Sequence, residues 1–390
     1  MPKYSGSASI TCCRVARPNA APKSKDPKRP LKTIYNFAAG PATLPAAVLE
    51  EAQKDLVSLP GMGMSLLEIS HRSKPVVEMI DTAEQNIRKL AGIPDNYRIL
   101  FLQGGASLQF SMVPMNLLTP GGKADHIVTG NFANLALKDA QKVGDIRVAG
   151  STEDSNHDRI PNQAELDLDP KADYVHFTGN NTIYGTEWPT EPEVGDVPLV
   201  ADLSSNIFSK PIDVSKYGLI YAGAQKNLGA AGVTLVLVRD DLLDRSPDSL
   251  PAMLSYSVHA KGNSAHNTPP VFSIYILGLV VKWLANQGGL EHVEHQNGDK
   301  AKLLYDQLDS SEFFTGHAQP GHRSRMNVTF RLPNPELETQ FASEATAEGL
   351  VELKGHRSVG GIRASIYNAF PREGVEALVS FMKEFERTHG

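Results

Sequence analysis

The sequence predicts an α/β fold: a mostly parallel sheet covered by helices on both faces, followed by a smaller α+β domain. Three observations predict it. Short, near-continuous apolar runs recur along the chain and end in polar residues or glycine, as strands buried on both faces do. Stretches long enough for helices separate these runs. Beyond about residue 290 the pattern changes, and helical stretches flank two isolated strands.

In chain order, residues 1–32 stand apart. They carry eight basic residues against one acid, Asp26, a local charge of +7 that leaves −13 on the rest of a chain whose total is −6. Five prolines and no apolar periodicity mark this segment as a disordered basic extension, with a transit peptide as the sharper alternative. The expected location is therefore cytoplasmic, or an organelle if residues 1–32 are a transit peptide. From Thr33 onward the expected strands are Tyr97–Gln103, Ala124–Gly130, Asp173–Gly179, Pro198–Leu203, Gly218–Gly223 and Gly232–Val238. Leu108–Leu118 and Val271–Val281 read as buried helices. The C-terminal region offers helical stretches at Gly298–Leu308, Leu337–Glu348 and Arg372–Thr388 around strands at Met326–Leu332 and Gly361–Tyr367.

Composition removes several function classes. A pI near 6.1 argues against nucleic-acid binding as the main task. The apolar run Val271–Val281 is too short to span a bilayer, so no membrane partner is expected. The only cysteines, Cys12 and Cys13, sit in the basic segment. The body therefore has neither a thiolate metal site nor a cysteine nucleophile. Glu291–His295 lacks the spacing of a zinc-peptidase helix, and no metal is expected.

Ligands of open α/β sheets sit at the carboxyl ends of the strands. Those ends bring Gly104–Ser107, Asn131-Phe132, Asn180–Thr182, Asp202–Ser205 and Gln225-Lys226 into one row. A glycine turn at a helix start favours a phosphate, because free N–H groups and the helix dipole point at it. Asp202 and, 24 residues later, Lys226 supply what pyridoxal 5′-phosphate needs: an amine for its aldehyde and a carboxylate for its ring nitrogen. An aromatic ring, Phe132, is at hand to stack.

At these residues the chain resembles the phosphoserine aminotransferases, class-V members of the fold-type I pyridoxal-phosphate enzymes. The resemblance runs from about Tyr35 to the C-terminus. It rests on Asn36–Pro45 (NFAAGPATLP), Glu68–Lys74 (EISHRSK), Leu102–Phe110 (LQGGASLQF), Ala201–Ser205 (ADLSS), Tyr221–Gly229 (YAGAQKNLG), Asn267–Pro270 (NTPP) and Gly355–Phe370 (GHRSVGGIRASIYNAF). It implies a seven-stranded sheet in a large cofactor-binding domain, residues 46–290. It also implies a small domain, 291–390, with residues 33–45 packed against the latter.

The resemblance implies roles as well. Lys226 forms the Schiff base and Asp202 partners the pyridinium nitrogen. Ala106, Ser107 and Gln225 hold the cofactor phosphate, Thr182 touches the ring substituents, and Phe132 stacks where tryptophan is usual. Asn267 and Thr268 reach the neighbouring subunit's cofactor, so a homodimer with shared sites is implied. His71, Arg72, His356, Arg357 and Arg363 bind substrate, with Arg363 on the α-carboxylate and the others on the phosphate. His266 stands where tyrosine is expected. The implied reaction is reversible amino transfer from L-glutamate to 3-phosphohydroxypyruvate, giving O-phospho-L-serine and 2-oxoglutarate. A phosphorylated hydroxythreonine of vitamin B6 synthesis is a further substrate of the family. A cysteine desulfurase is excluded by the missing thiol, and an alanine–glyoxylate type would not need so many cations.

Overall fold

The computed structural model describes residues 33–390, so the expectations for residues 1–32, with Cys12 and Cys13, fall outside the described residues. Ile34–Gly390 forms one compact unit. Its first half runs β1 (Tyr35–Asn36), α1 (Ala46–Val57), α2 (Lys74–Ala91), β2 (Tyr97–Leu102), α3 (Gly105–Leu117), β3 (Lys123–Val128), α4 (Asn131–Ala140), β4 (Asp145–Ser151), β5 (Val175–Thr178) and the small hairpin β6 (Asn180–Asn181) and β7 (Thr186–Glu187). There follow β8 (Leu199–Asp202), β9 (Leu219–Gly223), β10 (Thr234–Arg239), α5 (Asp240–Leu243), α6 (Tyr256–Lys261) and α7 (Val271–Asn286). The C-terminal part is α8 (Gly289–Asp309), β11 (Thr315–Gly316), β12 (Asn327–Arg331), α9 (Pro335–Ala347), β13 (Leu350–Val351), β14 (Ile362–Ser365) and α10 (Arg372–His389).

The main sheet has seven strands in the order β2-β10-β9-β8-β5-β3-β4, parallel except for β10, which runs against both its neighbours. Successive residues point to opposite faces, and both faces are covered. In β10, Leu235 and Leu237 join one core while Val236 and Val238 join the other; Ile220 and Ala222 alternate with Leu219 and Tyr221 in β9. Helices α2 and α7 cover the first face, α3 and α4 the second. Helix α2 buries Val76, Ile80, Ala83, Ile87 and Ala91, one helical stripe, and stops at Gly92, whose φ of 59° suits a left-handed cap. Each fully buried aliphatic side chain contributes about 1.5–3 kcal/mol, so these two layers fix where the strand ends lie.

Strand β4 is absent from the strands expected individually. It is an edge strand with outer residues in solvent, Val148 at 49 % exposure, so the apolar run that marks the inner strands is missing. Helix α8 also begins earlier than the expected Gly298. Gly288 and Gly289, with φ of 99° and 81°, turn the chain directly into it.

A third core gathers Phe330, Phe341, Phe385 and Met382 between α8, α9, α10 and the three-stranded sheet β11-β12-β14. Phe37 joins it from the N-terminal segment, where β1 pairs in parallel with β13. Helix α8 bridges the two regions: Leu290 and Val293 pack in the core of the main sheet, and Ala301, Leu304 and Leu308 in the third.

Candidate active site

Lys226 follows β9 by three residues. Its Nζ donates to Thr182 Oγ1 (2.7 Å), from the turn between β6 and β7, and lies 4.9 Å from the centre of the Phe132 ring at the start of α4. Burial draws this amine down to about 8; Asp202 opposes the shift and Arg363 reinforces it. Asp202, the last residue of β8, is buried, and burial raises its pKa against the opposing pull of Ser204 and Lys226. Its Oδ1 accepts from Ser204 N (2.9 Å), and Ser204 Oγ in turn accepts from Gly223 N (3.0 Å). An acid and an amine, both shifted toward neutrality inside a sheet edge, mark a chemical site rather than a surface pair.

Gly104, two residues past β2 and with φ of +88°, starts α3 with no side-chain cap. A side chain there would collide with Leu108, its Cβ only 2.5 Å from that of Leu108. The first-turn N–H groups near Ala106 and Ser107 are thus left for an anion. The cofactor expected from the sequence fits these groups: an amine of lowered pKa, a buried carboxylate, a ring beside the amine and an uncapped helix start.

The N-terminal segment closes over the amine. Ala42 N donates to Gln225 O (2.9 Å), and a Cβ on Gly40 would come within 3.3 Å of Lys226 Cγ at a φ of +148°. This accounts for the NFAAGPATLP motif, whose part in the site was not foreseen. Tyr367 and Asn327 were also missed. Tyr367 donates to Ala39 O (2.7 Å), accepts from Asn327 Nδ2 (3.2 Å), and neighbours Thr182 and Arg363; burial pushes it up to about 12. Asn180 Nδ2 donates to both Ser205 Oγ and Asn327 Oδ1, each at 2.8 Å, and so ties the main sheet to β12. These residues come from distant parts of the chain and share no local pattern.

The expected substrate residues fall into two groups. Arg363, on β14, stands near Lys226, and His356 and Arg357 occupy the loop before it. Burial, then Arg363 and Arg357, hold His356 below its usual pKa; burial lowers Arg363, whose Nε is buried without a partner. His71 and Arg72 lie elsewhere, on the loop before α2. His71 and Thr268 line one cavity of about 470 Å³. Among the described residues neither His71 nor Arg72 bonds to the Arg363 group, and His71 Nε2 is buried without a partner. The loop with Asn267 and Thr268 is held by Gln103 Nε2, which donates to Thr268 O (3.3 Å), and Asn267 Oδ1 is buried and unpaired.

Arginine partners set three of these residues apart. Among the described residues the side chains of Arg72, Arg357 and Arg363 make no hydrogen bond or ion pair. Every other arginine there donates to an acid or a carbonyl: Arg88, Arg98, Arg147, Arg159, Arg239, Arg245, Arg323, Arg325, Arg331, Arg372 and Arg387. The three left over are the three the sequence singled out.

Known proteins share this arrangement. The pattern described as Aminotransferase class-V matches residues 34–378. The phosphoserine aminotransferase of Herpetosiphon aurantiacus is 53% identical over 359 residues, covering 92% of this chain and 100% of that one. The solved phosphoserine aminotransferase from Bacillus circulans subsp. alkalophilus superposes with a TM-score of 0.90 at 49% identity, covering 92% of this chain and 99% of that one. The PLP-bound phosphoserine aminotransferase of Trichomonas vaginalis gives 0.86 at 37% identity, over 90% and 99%. The chain belongs to the class-V aminotransferases and, within them, to the phosphoserine aminotransferase family.

Proposed function

We infer that the chain catalyses reversible transfer of the amino group from L-glutamate to 3-phosphohydroxypyruvate, giving O-phospho-L-serine and 2-oxoglutarate, with pyridoxal 5′-phosphate as cofactor. The observation that carries this reading is one buried lysine beside an acid, with arginines that have no acid of their own facing or flanking it. When bound, the cofactor supplies an aldehyde for the amine and a ring that accepts electrons from the substrate Cα. Lys226 would hold the cofactor through Nζ, and its free amine would carry the proton to and from the substrate Cα. Its lowered pKa suits it to both directions near neutral pH. Asp202 would keep the ring nitrogen protonated, the α3 start with Ala106, Ser107 and Gln225 would hold the phosphate, Thr182 would orient the ring, and Phe132 would lie against it. Arg363 takes the α-carboxylate. His71, Arg72, His356 and Arg357 take the distal anion, which is a phosphate in one half-reaction and the γ-carboxylate of glutamate in the other.

The active unit in this reading is a homodimer. Neither Asn267 nor Thr268 bonds Ala106 or Ser107 of its own chain among the described residues, which leaves both for a second copy. Because His71 shares a cavity with Thr268, a copy that delivers one delivers the other, and Arg72 with them. Leu56, Val57, Met64, Leu67 and Val77, in the segments just before and after His71 and Arg72 in sequence, are exposed and available to such a contact.

A coupled assay with O-phospho-L-serine and 2-oxoglutarate, run against serine and alanine, tests the reaction. Turnover of phosphoserine at least about a hundredfold above alanine is expected, since the distal anion contacts exist only for the former. Equal rates would contradict the substrate assignment.

A further inference from the structure

Lys300, in the middle of α8, is 4 % exposed and has no acid partner among the described residues. Its Nζ donates instead to four backbone carbonyls: Ile366 (3.2 Å), Tyr367 (2.8 Å), Asn368 (3.4 Å) and Phe370 (3.1 Å). Four oxygens of one turn thus converge on a single positive charge, sharing three protons, much as they would surround a bound monovalent cation. Carbonyls pointing at one spot repel one another and cannot satisfy each other, so the turn needs that charge to close. Burial draws the amine down to about 7, whereas donation to carbonyl oxygens in general favours the protonated form.

This turn places the Tyr367 side chain in the site and the Asn368 backbone N–H beside it. Tyr367 stands beside Thr182, the acceptor for Lys226 Nζ, and beside Arg363. Asn368 N donates to Asn227 Oδ1 (3.0 Å), on the residue next to Lys226, and Asn368 Nδ2 donates to Phe208 O (2.9 Å). From α8, Asn297 Nδ2 bonds Asn368 Oδ1 (2.8 Å). Two short paths therefore run from Lys300 to Lys226, one through Tyr367 and Thr182, the other through Asn368 and Asn227.

We propose that Lys300 is a positioning residue of the active site, an internal cation around which the Ile366–Phe370 turn folds so that Tyr367 and Asn368 set the Lys226 amine and Arg363. The proposal rests on Lys226 being the reacting amine. It assigns Lys300 no contact with substrate or cofactor.

A double-mutant cycle tests it in the cofactor-loaded protein with O-phospho-L-serine. Lys300→Met fills the space without the charge, and Tyr367→Phe removes the hydroxyl the turn places. Each single change should lower kcat/KM about tenfold or more, and the double variant should fall within about threefold of Lys300→Met alone, because the two act through one turn. Both singles should shift the pH midpoint of the cofactor absorbance band in the same direction and weaken cofactor binding, measured by titrating cofactor-free protein. If the losses multiply, or if Lys300→Met lowers only the melting temperature and leaves the midpoint and the cofactor dissociation constant unchanged, Lys300 is a packing residue and the inference fails. Should Lys300→Met not accumulate as folded protein, Lys300→Gln, which keeps two donors, enters the same cycle with the same criteria. A Lys226→Ala variant with intact turnover would overturn the reading beneath it instead.

Discussion

The proposed cofactor cradle and the proposed anion pocket of this protein are built on different principles. The cradle is made at strand ends: Asp202, Lys226, Thr182 and Phe132 are brought together within one chain, and the acid and amine already have shifted pKa values. The anion pocket is made on loops. Its arginines stand in two groups without counter-ions among the described residues, and only Arg363 is anchored in a strand. The difference teaches that a chain can preorganise the group it always binds and leave open the groups that must admit and release substrates.

The largest effect that could break this comparison is at the cradle. Lys226→Ala should abolish turnover by more than about a thousandfold, since nucleophile and proton carrier are lost together, and Asp202→Asn should cost on the order of a hundredfold or more. Steady-state assays check both; a mild loss at either would show that the cradle is not the chemical centre. The pocket should behave selectively instead. Arg357→Leu should cut single-turnover rates with phosphoserine and glutamate by roughly 30-fold or more, the cost of removing one partner of a desolvated ion pair, yet leave the slow reaction with alanine within a few-fold. Arg363→Leu should slow all three about equally. Should Arg357→Leu slow alanine as much as phosphoserine, the distal-anion role is wrong.

Two smaller effects sharpen the cradle. Gly40→Ala should weaken cofactor retention roughly tenfold, because a side chain at φ +148° both strains the backbone and presses on Lys226 Cγ. Equilibrium titration of cofactor-free protein measures this, and unchanged affinity would show that the N-terminal segment does not hold the amine. The pH dependence follows from the sign of the Lys226 shift. The amine is protonated and unreactive below its pKa, so capture of the cofactor by cofactor-free protein should speed up as pH rises and level off above about 8. Asp202→Asn should move that midpoint down, because its carboxylate favours the ammonium. Arg363→Leu should move it up. A midpoint near the ordinary lysine value would mean the amine is not desolvated.

The same contrast decides what could be read from the sequence. Inner strands and their polar ends were legible because burial on both faces demands apolar runs, and the cradle residues sit where those runs stop. Edge strand β4 was not, because half of it faces solvent. Asn180 was placed at a strand end, but Tyr367 and Asn327 were not read as part of the site, because the meeting of the three is made by the packing of β12 and β14 and leaves no local spacing. Gly40 lay within a motif, but its reason, the approach to Lys226, exists only in three dimensions. His71 and Arg72 were recognised as substrate residues, yet the place of His71 beside Thr268 rather than beside Arg363 is a property of the folded surface.

The central claim, that the lysine, acid and ring of each cradle come from one chain while part of its anion pocket comes from another, is tested most directly by subunit mixing. Chains carrying Lys226→Ala and chains carrying Arg72→Leu are each nearly inactive with phosphoserine. After verified exchange in equal amounts, half of the dimers are mixed, and each mixed dimer holds one site with a native Lys226 and a native Arg72 from opposite chains. Recovery to about a quarter of unaltered activity is expected. If activity stays at the level of the separate variants, Arg72 serves its own chain and the shared pocket is contradicted.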